Sequence, residues 1–153
     1  MSLSSIQDFV EPINLSFLSK DEGYRDTQLG KHIKSYENQL PDIKDADIVL
    51  IGAGECRGAG FALNGFEAAN AVRAALYNLY YWHAQVTIAD IGNVKLGQSI
   101  QDSYAALRTV ISELLLQNKK VVIMGGSHDL SLAQYHAYTS IPTLVNAVVV
   151  DAK

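Results

Sequence analysis

The chain has 153 residues, 48% of them hydrophobic, a formal net charge of −4 and a single cysteine, Cys56. That length gives one domain with a proper core, and the acidic balance excludes nucleic acid or an anionic membrane surface as partner. One cysteine excludes an internal disulfide framework and fits a reducing, cytoplasmic setting; no run of about 18 apolar residues marks a membrane span, and no basic leader with an apolar core marks a secretion signal.

Met1 to Ser5 reads as leader-like and stays outside the fold reasoning. Residues 1–26 are expected to be an irregular arm, with Pro12 and a mixed-charge cluster from Lys20 to Asp26; residues 27–153 are expected to form the α/β domain. A short helix is predicted over 27–39, capped by Thr27, with Leu29, Ile33, Tyr36 and Leu40 at helical spacing and Pro41 as its stop. Asp47 to Ile51 is a strand apolar on both faces, followed by a glycine-rich loop from Gly52 to Gly60. Phe66 to Tyr81 reads as a helix with Ala69, Val72, Ala75, Leu76 and Leu79 on its inner face.

A second strand, 86–89, closes on Asp90-Ile91-Gly92-Asn93. A long helix starts at Ser99 or Gln101 and runs to about Gln117, with Ile100, Tyr104, Leu107, Ile111, Leu114 and Leu115 as its inner stripe. Lys119 and Lys120 follow its last turn, where cations suit the negative end of the dipole. The third strand is 121–124, a helix follows over 130–138, and a fourth strand over 145–150 ends in Asp151. Strands and helices alternating at this spacing are βαβ units, and their right-handed crossovers give a mostly parallel sheet with helices on both faces.

The chemistry is unevenly spread. The loop GAGECRGAG follows a strand and precedes a helix, as a dinucleotide-binding turn does. Its third fingerprint glycine is replaced by Arg57, however, and no acid stands about 20 residues on, so a loop without a cofactor is the better reading. Asp90 reads as the cap of the turn after its strand, or as an acid that orients a ligand. His32, His83 and His136 lack spaced ligand partners and read as surface or packed imidazoles. Cys56 lies beside Arg57, with no strand-end histidine placed as its base. Tyr77, Tyr80, Tyr81 and Trp82 read as core packing or a subunit contact.

His128 stands apart. It projects from a tight Gly125-Gly126 turn at the carboxyl end of a buried strand, where ligands and metals collect in open parallel sheets. Asp151 ends the next strand. One imidazole with carboxylates suits a hard-to-borderline divalent ion such as Mn²⁺.

Taken in order, these landmarks resemble the ureohydrolase superfamily of arginase, agmatinase and formiminoglutamase. The family's strand, glycine-rich loop and helix with an Ile-Arg-like pair correspond to Val49–Leu76, where the pair is Val72-Arg73. Its Asp-x-Gly-Asp/Asn-Val stretch corresponds to Asp90–Val94. Its Gly-Gly-x-His metal motif is Gly125–His128, and the Asp129 that follows is closer to formiminoglutamase than to arginase. Its Asp-Ala-His strand end is Asp151-Ala152-Lys153.

The resemblance implies a three-layer, arginase-like α/β/α fold, of which this chain is the N-terminal portion. It also implies hydrolysis of linear amidine or guanidino C–N bonds in a small-molecule substrate by a binuclear Mn²⁺ site, with His128 and Asp151 as ligands. Lys153 replaces a ligand histidine, and the later Asp-x-Asp ligands lie beyond this chain. A weak or absent metal, an inactive fragment and a homo-oligomer are the expectations, with a pseudoenzyme for binding or assembly as the alternative.

Overall fold

Strand β3 (Ile48–Ala53) forms the centre of the sheet because its side chains are apolar in both directions. Val49, Ile51 and Ala53 face one core, and Ile48 and Leu50 face the other. The computed structural model describes residues 4–14, 18, 23–62, 67–142 and 144–150.

Around β3 the chain adds α1 (Ser4–Gln7), β1 (Val10–Glu11), α2 (Leu29–His32), β2 (Lys34–Ser35), α3 (Glu67–Tyr77), β4 (Ile88–Val94), α4 (Ile100–Leu116), β5 (Lys120–Met124) and α5 (Leu130–Tyr138). The sheet order is β1-β4-β3-β5, with β2 also on β4. β3 pairs in parallel with β4 from Ile48↔Ile88 and with β5 from Ile48↔Lys120. The outer edge of β4 is shared end to end: β2 runs parallel beside Ala89 and Asp90, and β1 antiparallel beside Asn93 and Val94.

Two apolar layers cover the two faces. Leu107, Val110, Ile111 and Leu114 of α4, with Leu130, Ala133 and Ala137 of α5, pack against Val49, Ile51, Ala89 and Ile91. Ala69 and Tyr77 of α3, with Ile13, Leu18 and Ile33, pack against Leu50 and Met124 on the other face. The fold is therefore α/β with helices on both sides of a mostly parallel sheet, as the alternation of elements implied. No helix of the described residues is long and apolar enough to cross a membrane.

α4 and α5 follow their predicted spans closely. Ser99 caps α4 in a full capping box: its hydroxyl accepts from the Asp102 N–H at 3.1 Å, and the Asp102 carboxylate accepts from the Ser99 N–H at 2.9 Å.

Several expectations are corrected. The helix predicted over 27–39 is a single turn, α2, preceded by Gln28 and without a side-chain cap from Thr27. Ile33 and Tyr36 are buried as expected. The backbone between them instead joins the sheet as β2, and the Tyr36 N–H donates to the Asp90 carbonyl at 2.8 Å. Apolar residues three apart suit a helix, but tertiary pairing decides here.

The arm before residue 27 is not wholly irregular, since Val10 and Glu11 pair with β4, and Ile6, Val10 and Ile13 are buried. Strand β4 does not stop at Ala89. Gly92, at φ +83°, absorbs an extra residue as a bulge, and the strand continues to Val94. A β-carbon on Gly92 would strike the Glu11 carbonyl.

Helix α3 ends at Tyr77 rather than Tyr81, and its buried positions are Ala69, Arg73 and Tyr77. Val72 and Leu79 are exposed, so the inner face differs from the predicted one. Residues 145–150 form no strand: Val148, Val149 and Val150 are 88%, 86% and 94% exposed. An apolar run becomes a strand only where its backbone finds a ladder, and among the described residues this one finds none.

Candidate active-site rim at the carboxyl ends of the strands

The chain leaves β3 toward β4 on one side, then crosses back over β3 to enter β5 on the other. The gap between the carboxyl ends of β3 and β5 is thus a topological switch point, where open α/β sheets bind their ligands. A crevice of about 420 Å³ opens there, lined by Gly54, Cys56, Phe61, Ala62, Ala68, Gly126 and Ser127. A larger hollow of about 560 Å³, bordered by Lys34, Gln39 and Asp42, contains none of the candidate residues.

The turn after β5 is built by two glycines with positive φ, +84° at Gly125 and +81° at Gly126. Side chains are excluded at both for lack of space as well. A β-carbon on Gly126 would come within 3.0 Å of the Ala53 and Glu55 carbonyls, and one on Gly125 within 2.9 Å of the Ala69 nitrogen. This close approach lets the Ser127 N–H donate to the Glu55 carbonyl at 3.0 Å, tying the turn to the β3 exit. His128 follows, exposed on the rim. Asp129 is half-buried, and the Tyr104 hydroxyl of α4 donates to its Oδ2. Burial alone would raise the Asp129 carboxyl, but hydrogen bonds from Ser127 and Tyr104 hold it below its ordinary range. The Tyr104 hydroxyl is pushed up to about 12, chiefly by that bond to Asp129.

Beneath the rim the β3 exit loop is clamped. Glu55 is 2% exposed, and its carboxylate accepts from Arg57 Nε at 2.9 Å and Nη2 at 2.6 Å. The Arg57 hydrogen bonds bring the Glu55 carboxyl down to about 2 despite burial. Arg57 also donates to the carbonyls of Gln98 at 2.8 Å and Gly97 at 3.0 Å, so one guanidinium ties the β3 and β4 exits together. With Arg57 so engaged, Cys56 donates its thiol to the Ala62 carbonyl at 3.1 Å.

A second ion pair lies on the α3 face of the sheet. Arg73 is fully buried and grips Asp90 with two bonds, Nε to Oδ2 at 2.8 Å and Nη2 to Oδ1 at 3.0 Å. Arg73 also donates to Asn93 Oδ1 at 2.6 Å and the Gly92 carbonyl at 2.7 Å, while Tyr77 donates to Asp90 at 3.0 Å. Burial first, and then the Asp90 charge, push the Tyr77 hydroxyl far up. Asp90 accepts from the Gly92 N–H at 3.0 Å, so the capping reading holds, but its larger task is to balance a buried arginine.

Of the two candidate metal ligands, His128 is on the rim and Asp151 lies outside the described residues. The other histidines behave as packed or surface rings. His32 stacks on Tyr81 at 3.8 Å and donates to the Asp26 carbonyl at 2.7 Å, His83 lies against Trp82 and His136 against Tyr135. The aromatic cluster divides, with Tyr77 in the core and Tyr80 and Trp82 exposed. Sequence reasoning missed the Arg73–Asp90 pair, the Glu55–Arg57 clamp and the Tyr104–Asp129 bond. Arg73 had a signal, standing between Ala69 and Tyr77 on a single face at spacing four.

Comparison with known proteins follows the same lines. The model of the Arginase family matches residues 46–152. In fold the chain is similar to an arginase superfamily protein from Trypanosoma cruzi, at 19% identity and a TM-score of 0.62, covering 77% of this chain and 42% of that one. Trypanosoma cruzi formiminoglutamase with Mn²⁺ gives the same figures. An oxidised form of that enzyme gives a TM-score of 0.60 at 20% identity, covering 77% of this chain and 43% of that one. The chain thus spans about two-fifths of the length of these structures. No curated protein matches it.

Proposed function

Because this chain belongs to the arginase family, we propose that it is the N-terminal portion of a hydrolase acting on linear amidine or guanidino C–N bonds of a small molecule. The carrying observation is the exposed His128 on a double-glycine turn at the switch-point crevice, in a fold shared with a Mn²⁺-bearing formiminoglutamase. The portion read as an arginase-like domain is 27–153, with the arm before it contributing an edge strand.

The residues described do not make a complete manganese centre. No group of three or more His, Cys, Asp or Glu gathers among them, and a resident metal generally needs three protein ligands. The Asp129 carboxylate is taken by Tyr104. What its residues supply is a braced rim with an exposed imidazole.

Lys153 supports the second reading, a pseudoenzyme serving binding or assembly. It stands where the family pattern has a ligand histidine, and an ammonium has no lone pair to give a metal. Under either reading the outer edge of β5, which pairs with no strand among the described residues, and exposed Val122 lead us to propose a homo-oligomer, and the single cysteine a cytoplasmic address.

The test uses the 153-residue chain with Mn²⁺ and arginine, agmatine or formiminoglutamate. We expect no urea, ammonia or formamide above the metal-only blank, and no stoichiometric Mn²⁺ after dialysis. Lys153→His is expected to gain Mn²⁺ affinity, and His128→Ala to remove that gain. A Lys153→His variant with unchanged affinity would refute the assignment of His128 and Asp151 to one metal site.

A further inference from the structure

We propose that Tyr104 is a positioning residue for His128, bracing the far side of its turn through Asp129 while the Glu55 carbonyl braces the near side. The inference rests on the reading that His128 faces the functional site.

A turn made of two adjacent glycines is conformationally permissive, so it cannot by itself aim the side chain that follows. Orienting a functional group to within about 0.5 Å requires its neighbours to be locked by their own hydrogen bonds. Here the residue before His128 is locked to the β3 exit, with Ser127 donating its N–H to Glu55 at 3.0 Å. The residue after it is locked to α4, with Asp129 accepting from the Tyr104 hydroxyl.

Asp129 also occupies the N-cap position of α5, where a carboxylate normally accepts from the helix's first N–H groups. It makes no such bond, and its φ of −63° and ψ of −17° are helical. Its carboxylate is diverted to Tyr104 instead. Gly58 completes the arrangement, because a β-carbon there would fall on the Asp129 carboxylate and lie 2.7 Å from the Tyr104 hydroxyl. The pair is therefore covered by the β3 exit loop. Of the His128-Asp129 dipeptide, His128 is the exposed member.

The test compares Tyr104→Phe, Asp129→Ala and Asp129→Asn in the 153-residue chain by NMR amide exchange. Tyr104→Phe and Asp129→Ala are expected to speed exchange at Ser127–Ser131 about tenfold or more, with Val110 and Leu114 of the core unchanged. Asp129→Asn, which still offers an oxygen to the tyrosine, is expected to stay within about threefold of the parent. Unchanged exchange in Tyr104→Phe, or loosening shared equally by the core amides, would overturn the proposal. If Tyr104→Phe does not fold, the two Asp129 variants decide: different behaviour supports the brace, identical behaviour refutes it. Broadening of the His128 ring signals by added Mn²⁺ in the Lys153→His variant tests the underlying reading separately. Its absence would sink the metal-site reading without touching the exchange result.

Discussion

Replacing Arg73 with methionine should be among the most damaging single changes in this chain. The guanidinium is wholly buried and makes two bonds to Asp90, one to Asn93 and one to the Gly92 carbonyl. Without it the Asp90 carboxylate, also fully buried, keeps only the Tyr77 hydroxyl and the Gly92 N–H, both at 3.0 Å. Removing one partner of a buried ion pair costs about 3–5 kcal/mol, mainly because the other charge is left uncompensated. Set against a total stability of about 5–15 kcal/mol, that loss is a large share. With a urea slope of about 2 kcal/mol/M, the unfolding midpoint should fall by roughly 2 M at unchanged slope. The same reasoning makes a second demand. Arg73→Met combined with Asp90→Asn removes both charges; the amide oxygen still accepts from the Gly92 N–H and the amide NH2 can donate to the Tyr77 hydroxyl oxygen, so the double variant should recover about 1–2 kcal/mol of the loss. A cost below about 1 kcal/mol for Arg73→Met, or a double variant as weak as the sum of its parts, would show that uncompensated charge is not what Arg73 prevents.

Acid should loosen the clamp under the rim. Glu55 falls from an ordinary 4.5 to about 2 in the fold, chiefly through Arg57. A depressed folded-state value contributes stability that is complete above pH 4.5 and lost as pH falls toward 2; its full size is on the order of 3 kcal/mol, and Glu55→Gln should flatten that part of a pH-dependent denaturation series. Gly126→Ala should destabilise by more than about 1 kcal/mol and disturb the amide signals of 125–130, since it adds a strained φ of +81° to contacts with two carbonyls; a silent substitution would contradict the close approach of the turn to β3.

The central architecture was legible because β3 and α4 carry unambiguous patterns: a strand apolar on both faces, and a long amphipathic helix opened by Ser99 with Asp102 three residues on. The illegible parts share a physical cause, which is that long-range pairing overrode local pattern. Ile33 and Tyr36 fit a helical stripe, yet their backbone is used by β4. Gly92 reads locally as the end of a strand, but as a bulge it lets the strand continue. Arg73 entered the sequence reading only as half of the Val72-Arg73 pair, and only the position of Asp90 on the neighbouring strand explains its burial. His128 was found because two glycines and a strand end are local signals. Its braces were not, because Tyr104 precedes Asp129 by 25 residues and Glu55 acts through its main chain.

Among the described residues the two edges of the sheet are unlike, one short and blocked and the other open. On the β4 side two strands of two residues each take the two ends of the edge, and Pro12, with no N–H to offer, follows directly after β1. Short strands and a proline are how sheets refuse further partners. On the β5 side, no described residue is paired. A strand that joined this sheet would find its open edge at β5. A strand added in parallel would end about 4.8 Å from Met124 and Gly125, so whichever residue closes it is delivered beside His128. Pairing at that edge and populating the rim would then coincide.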